Sequence, residues 1–455
     1  MVATRGVVDG LLDAALRHST AEQTEVLYFG SDDALTRFAN SQIHQNVAEH
    51  DASVQVRIID RQRVGVASTN RLDEAGLRDA VMRATAIAER TQPNPKAPEL
   101  PGPNEQSADP DLGYAAATAE ATPEQRGEAA RAVIAAGLAE RLVVSGSIST
   151  GVYMLAVANS RGLRARQRST RAALVTVMMD GFASGAASGY ANAGSADVRA
   201  IDAEAVGREA ADKGARSRGA GELEAGEYEV VLEEYAVAGL LEYLSFIGFS
   251  ALALEEGRSF MEIGKRVMGE NVTIWDDGQD PTGIPSSIDF EGVAKQRVHL
   301  IRDGVAEAVV HDAATAQRAG TRSTGHALPA PNPWGPMATH MFMAGGDASK
   351  ASMLASMRRG IWVTRFHYIN PVHPKKAILT GMTKDGTFLV ENGKFVRPLL
   401  NFRFTQSVPE AFSAIEALGA ETKVLPGEFV GAYRVPALKI ARFNFTGVTA
   451  AEGNA

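Results

Sequence analysis

Three patterns in the sequence predict an α+β fold in two parts. An N-terminal mixed α/β domain is followed by a C-terminal domain dominated by antiparallel β-meander with a buried helix. The first pattern is alternation in the N-terminal half, where apolar runs of strand length are interleaved with amphipathic helical segments. The second is a polar, Gly-rich stretch at 213–226 (KGARSRGAGELEAG), which reads as a joint between residues 1–212 and 227–455. The third is a set of Asx-Gly pairs near the C-terminus, each between alternating apolar runs, as hairpin turns require.

The start, MVATRGVVDGLLDAALRH, places Val7, Leu11, Leu12 and Leu16 at helical spacing. Asp9 and Asp13 interrupt what a signal peptide would keep apolar, so the cytoplasm is the expected compartment. Strands are expected at 24–30, 34–40 and 53–58. A helix is expected over 73–90, with Asp73 as N-cap and Leu77, Val81 and Ala84 on one face. Residues 92–112 carry six prolines and read as an extended loop. A second helix is expected at 123–139, then strands at 142–149, 152–158 and 163–180. Residues 181–196 (GFASGAASGYANAGSA) read as a small-residue loop.

Beyond the joint, EYEVVL at 227–232 is expected as a strand. The apolar run Ala236–Leu254 follows it. Glu242 interrupts this run and acidic residues flank it, so it reads as a buried core helix and not as a membrane span. Turns are expected at Arg302-Asp303-Gly304, Asp385-Gly386 and Asn392-Gly393, and short helices at 347–357 and 408–418.

Composition excludes several function classes. The chain of 455 residues has 46 basic and 54 acidic side chains, a net charge of −8, so binding to nucleic-acid phosphates is disfavoured. It has no cysteine, which removes disulfides, thiolate metal sites and cysteine nucleophiles. There is no HExxH, P-loop or G-x-S-x-G motif. No two of the nine histidines stand at i, i+4. His44 and His50 would lie roughly 20 Å apart on one strand, too far to share a metal. His367 and His373 bracket a Pro-containing segment, HYINPVH, which predicts no geometry.

Glu242 is the ionisable residue inside the apolar run. Burial would raise its pKa; exposure or pairing with an arginine is the simpler expectation. Trp334 sits in LPAPNPWGPM, a segment unsuited to regular structure that could line a cleft. The methionines Met337, Met341, Met343, Met353 and Met357 are expected in the core. The pairs Glu233-Glu234 and Glu255-Glu256 are expected as solvated helix ends.

The segment TGMTKDGTFLVENGKFVRPLLNFRFTQS resembles the characteristic block of the TldD/PmbA family, whose members form two-chain zinc peptidases. RFANSQIHQNVAEHDASVQVRII and STNRLDEAGLRDAVMRA are also similar to that family. In its catalytic kind of subunit, an HExxxH motif follows a VVL-type strand, two His bind zinc, the Glu acts as base, and a Cys elsewhere is a further ligand. Here the matching strand is Val230-Val231-Leu232, and the register puts Glu242 at the first His, Tyr243 at the Glu and Ile247 at the second His. Neither the histidines nor the cysteine are present, so the resemblance is to the non-catalytic TldE/PmbA-like subunit.

The resemblance then implies no cofactor in this chain, zinc in an HExxxH-bearing partner, and small or unfolded peptides as substrate. It also implies a possible homodimer when the partner is absent. Trp334 and His367 are candidates for the wall of a peptide-enclosing cavity. Two other readings remain open: a hydrolase with metal at a site built from His311, His367 and His373, and a regulatory protein of the gyrase-modulator type.

Overall fold

A computed structural model describes residues 3–103, 108–182, 186–427 and 431–448. Residues 104–107 of the expected proline-rich loop and 183–185 of the expected small-residue loop lie outside the described residues.

The chain opens with helix α1 (Arg5–Arg17) and a long meander, β1 (Gln23–Ala39), β2 (Gln42–Asp60) and β3 (Arg63–Thr69). Helices α2 (Glu74–Arg90), α3 (Ala116–Ala119) and α4 (Pro123–Ala139) follow. Next come β4 (Val143–Asn159), β5 (Arg164–Met179), β6 (Ser188–Ser195) and helix α5 (Ala203–Arg216). The six strands form one antiparallel sheet in the order β3-β2-β1-β4-β5-β6. The caps are those the sequence offers: Asp73 accepts from the Gly76 N–H of α2, and Thr122 and Gln125 make a capping box on α4.

One face of this sheet is closed by helices. Leu77, Val81 and Ala84 of α2 pack with Val8 and Leu12 of α1 on Val26, Val54 and Val56. Val133 and Ile134 of α4 and Val206 and Ala210 of α5 cover Val144, Leu174 and Met178. Strand β3 approaches α2 so closely that a Cβ on Gly65 would stand 2.0 Å from the Ala84 carbonyl oxygen. The first two expected strands are one, and so are those expected at 142–149 and 152–158. The polar run Gly30–Asp33 reads as a break, yet cross-strand partners satisfy it: Asp32 takes His50 Nδ1 at 2.6 Å and Asp33 takes the Tyr153 hydroxyl. Part of the expected small-residue loop is strand β6, paired along β5 from Ser188 to Ser195.

The second half begins with β7 (Gly226–Leu232) and helices α6 (Glu234–Ile247) and α7 (Ala251–Glu255). Strands β8 (Ile274–Asp276), β9 (Val298–Arg302) and β10 (Val305–Ala306), helix α8 (Ala313–Ala319), β11 (His340–Met343) and α9 (Lys350–Ser356) come next. The chain ends through β12 (Arg359–His373), β13 (Ile378–Glu391), β14 (Lys394–Pro398), β15 (Phe402–Ser407), α10 (Val408–Ser413), β16 (Ile415–Pro426) and β17 (Ala432–Val448). These eleven strands make one mixed sheet. β7 pairs with both β12 and β17, so β7, β12, β13, β15 and β17 close into a ring. Helix α6 packs its Val237, Leu240, Leu241 and Leu244 against Val230, Val363, Phe366, Ile440 and Phe443 of that ring.

Three expectations change here. The apolar run is two helices, because α6 ends at Gly248, where the Phe260 ring occupies the space a side chain would need. No described helix is long and apolar enough to cross a membrane. Asn392-Gly393 and Asp303-Gly304 do turn hairpins, with positive φ at both residues of each pair. Asp385-Gly386 has positive φ as well, but it is a bulge inside β13: the pairing to β12 shifts between Val363 and Arg365. The expected helix over 408–418 ends at Ser413, and β16 takes the rest.

Candidate functional site

The junction of β7 and α6 is built from buried charge. Val230, Val231 and Leu232 are fully buried, and the chain turns into α6 at Glu233. Glu233 accepts from Lys213 Nζ of α5 and from Trp362 Nε1 of β12, each at 2.6 Å. Glu234 meets Lys350 Nζ at 2.8 Å. Both carboxylates are buried, contrary to the expectation of a solvated helix end; their two lysines, contributed by α5 and by the start of α9, make that burial tolerable. Glu255 and Glu256 are exposed as expected.

Further along α6, Glu242 and Ile247 are buried and Tyr243 is half-buried. Glu242 is therefore not on a solvated face. The expectation that an arginine accompanies it fits better, since its charge acts on the guanidinium of Arg171, which arrives from β5 of the other sheet. Ser245 donates to the Glu242 carbonyl oxygen at 2.7 Å. The buried phenol of Tyr433, from β17, sits in the field of Glu242, and burial holds its pKa well above the ordinary value.

Trp334 and His367 stand apart from this buried cluster. Trp334 is 57% exposed and meets Phe246 edge-on, with ring centroids 6.4 Å apart. Phe246 in turn lies 5.2 Å from Tyr243, so an aromatic row runs from α6 to the Pro-rich loop. His367 lies within β12, opposite Met382, with its ring 4.4 Å from that of the exposed Tyr368. The segment HYINPVH is thus strand with irregular pairing and not a free loop. His44 and His50 both lie on β2, so their separation forbids a shared metal.

A deeper polar cluster joins the two halves. Alternation along three neighbouring strands turns Phe29 of β1, Tyr153 and Leu155 of β4, and Gln167, Ser169 and Arg171 of β5 to the sheet face that the helices leave open. Segments of the second half roof this floor and enclose a cleft of about 360 Å³. Asp276 at the end of β8 and His326 are fully buried and bonded at 2.8 Å, and the second Asp276 oxygen accepts from the His340 N–H at 2.7 Å. Burial pushes the His326 imidazole below its ordinary value, whereas the charge and hydrogen bond of His326, with the Lys295 charge, hold Asp276 below the usual carboxylate range against its own burial.

Lys295 is also buried, and its ammonium reaches Thr339 Oγ1 at 3.4 Å. Nothing in the sequence singled out Arg171, Asp276, Lys295, His326 and His340 as a group. Their separations in the chain give no periodic signal, and only the stacking of the two sheets brings them together.

Three family domains match in sequence order: the PmbA/TldA metallopeptidase domain 1 over residues 24–88, the central domain over 103–218 and the C-terminal domain over 225–447. The chain belongs to the PmbA/TldA metallopeptidase family. Among solved structures, TldE from Thermococcus kodakarensis superposes with a TM-score of 0.87 at 21% identity, covering 97% of this chain and all of that one. At that identity the likeness is one of fold. An uncharacterized protein of Methanocaldococcus jannaschii is 39% identical over 101 residues, 22% of this chain and 24% of that one. A metalloprotease TldD homolog of Buchnera aphidicola is 29% identical over 175 residues, 36% and 34% of the two chains. The match thus covers about a third or less of each of these two relatives.

The family description makes a metal the first group to test. The α6 position offers a carboxylate, a phenol and an alkyl side chain, with neither imidazole nor thiolate. That donor set does not fit a zinc ion, which takes three or four N, S or O ligands of its own. Among the described residues no group of three or more His, Asp or Glu is placed to hold a metal. His311 and His373 are not brought together into such a group.

Proposed function

We propose that this chain is the non-catalytic, TldE/PmbA-like subunit of a two-chain zinc metallopeptidase that cleaves small or unfolded peptides in the cytoplasm. The observation that carries the reading is the α6 position itself. Where the family's catalytic subunit has HExxxH after its VVL-type strand, this chain has Glu242, Tyr243 and Ile247, and Glu242 interacts electrostatically with Arg171. The positive charge of Arg171 acts on Glu242 and works against a second cation there, and the imidazole and thiolate ligands are missing.

In this reading the HExxxH-bearing partner supplies zinc, water and general base. This chain supplies the opposing wall of a cavity that admits extended peptide, with Trp334 and His367 near its surface, and limits access to disordered segments. Without its partner the chain forms a homodimer, since both kinds of subunit share one fold.

The test is to purify this chain, its HExxxH-bearing homologue and the mixture. Mass, bound zinc and hydrolysis of a disordered peptide are then measured in each. Activity and one equivalent of zinc only where the homologue is present, with a heterodimer mass in the mixture, support the proposal. Stoichiometric zinc and cleavage by this chain alone would sink it in favour of a self-sufficient hydrolase. Failure of the two chains to associate would favour a regulatory role.

A further inference from the structure

The cleft between the two sheets contains a buried cation whose donors are not all used. Lys295 is 5% exposed, lines the cleft, and among the described residues makes one long bond, 3.4 Å to Thr339 Oγ1. An ammonium carries three N–H donors. A buried ammonium without a close acceptor is costly unless a ligand or water completes its shell.

The Lys295 charge acts on two buried carboxylates, Asp276 and Asp289, whose oxygens are bonded by other donors. Asp289 accepts from the backbone N–H groups of Glu291, Val293 and Ala327 at 2.9 Å each. Asp276 is taken by His326 and the His340 N–H. Gln167 Oε1 receives the N–H groups of Ser287 and Ile288, and the Tyr153 hydroxyl donates to Asp33. Arg171 adds a second cation to the lining, with a 3.4 Å bond to the Gly431 carbonyl oxygen. The rest of the wall is mixed: Asp289 and the polar side chains of Ser169, Thr170 and Ser286 line it together with an apolar part made of Phe29, Leu155, Ile284, Phe290, Leu328 and Met337. The volume, about 360 Å³, lies in the range of small-ligand clefts.

We propose that this cleft binds a carboxylate carried on an apolar body, with Lys295 and Arg171 holding the carboxylate oxygens and the Phe29–Leu328–Met337 wall taking the apolar part. The C-terminal carboxylate of a short peptide ending in an apolar residue is one source of that chemistry. A free apolar acid is the other. The peptide source rests on the function proposed above, whereas the cleft and its cations do not.

The test uses the intact chain alone, so that its outcome is separate from that of the subunit-mixing experiment. Binding is measured by calorimetry for a tripeptide ending in leucine or phenylalanine, for the same peptide as its C-terminal amide, and for hexanoate. The acid forms are expected to bind about tenfold tighter than the amide, the effect of one charge-assisted hydrogen bond. The tighter of peptide and hexanoate identifies the source. Lys295→Met keeps the stem in place and is expected to abolish the preference for acid over amide, with a thermal melt reporting on its folding. If that variant does not fold, the acid–amide comparison on the unaltered chain still decides. Equal binding of acid and amide, or binding of neither acid, overturns the proposal.

Discussion

His340 shows at the scale of one residue how the cleft couples to stability. Burial, with the Lys295 charge as a second cause, pushes its imidazole down to about 3. In the unfolded chain the ring takes its proton near pH 6.5. Between these values the unfolded state binds more protons, so this contribution is present at neutral pH and is lost as pH falls from about 6.5 toward 3. His340→Asn is expected to flatten the fall in melting temperature between pH 7 and pH 4 relative to the unaltered chain. A melting series over that range checks it, and parallel slopes would count against it. Glu25 has the opposite sign. Burial pushes its carboxyl up to about 7, so the folded state holds the proton longer and stability is lost as pH rises from about 4.5 through 7. Neither shift is visible in sequence, because each comes from groups on other strands.

The bulge in β13 carries the lesson at the scale of an element. Asp385-Gly386 was legible as a pair needing positive φ, and both residues have it. What could not be read was that the strand continues through them, since the pairing that resumes at Arg365↔Lys384 belongs to β12. The bulge aims Asp385 inward, where it accepts from Arg365 Nε and Ser188 Oγ at 2.6 Å each and ties the bulge to β6 of the first sheet. Gly386 has φ of 122°, and a Cβ there would stand 2.5 Å from Thr364 Oγ1. Gly386→Ala is therefore expected to destabilise by about 1–3 kcal/mol in denaturant unfolding. A change within a few tenths would show that the strand relaxes freely. Helix α6 makes a related point: the apolar run foretold its burial, but the break at Gly248 depends on Phe260 packing into the bend.

At the scale of the molecule, a buried cluster of one arginine and two carboxylates ties the two halves together. Arg57 of β2 reaches Glu25 at 2.8 Å and Glu291 of the second half at 3.0 Å, all three buried. Arg57→Met leaves both carboxylates without their cation and is expected to cost about 3–5 kcal/mol, read by chemical denaturation. An unchanged midpoint would mean that the halves hold together without it.

The α+β class, the helices at 74–90 and 123–139, the turns at Asp303-Gly304 and Asn392-Gly393 and the family blocks were readable from the chain, because periodicity, caps and turn residues are local properties. The absence of cysteine, and of any histidine between His50 and His299, was readable too, since absence of a ligand needs no coordinates. Tertiary structure alone decided that Glu242 is buried, that Glu233 and Glu234 are paired and not solvated, and that Lys295 faces a cleft. The physical reason is that the charge state and accessibility of a side chain depend on what lies across from it. Here those neighbours come from a different sheet and a distant part of the sequence.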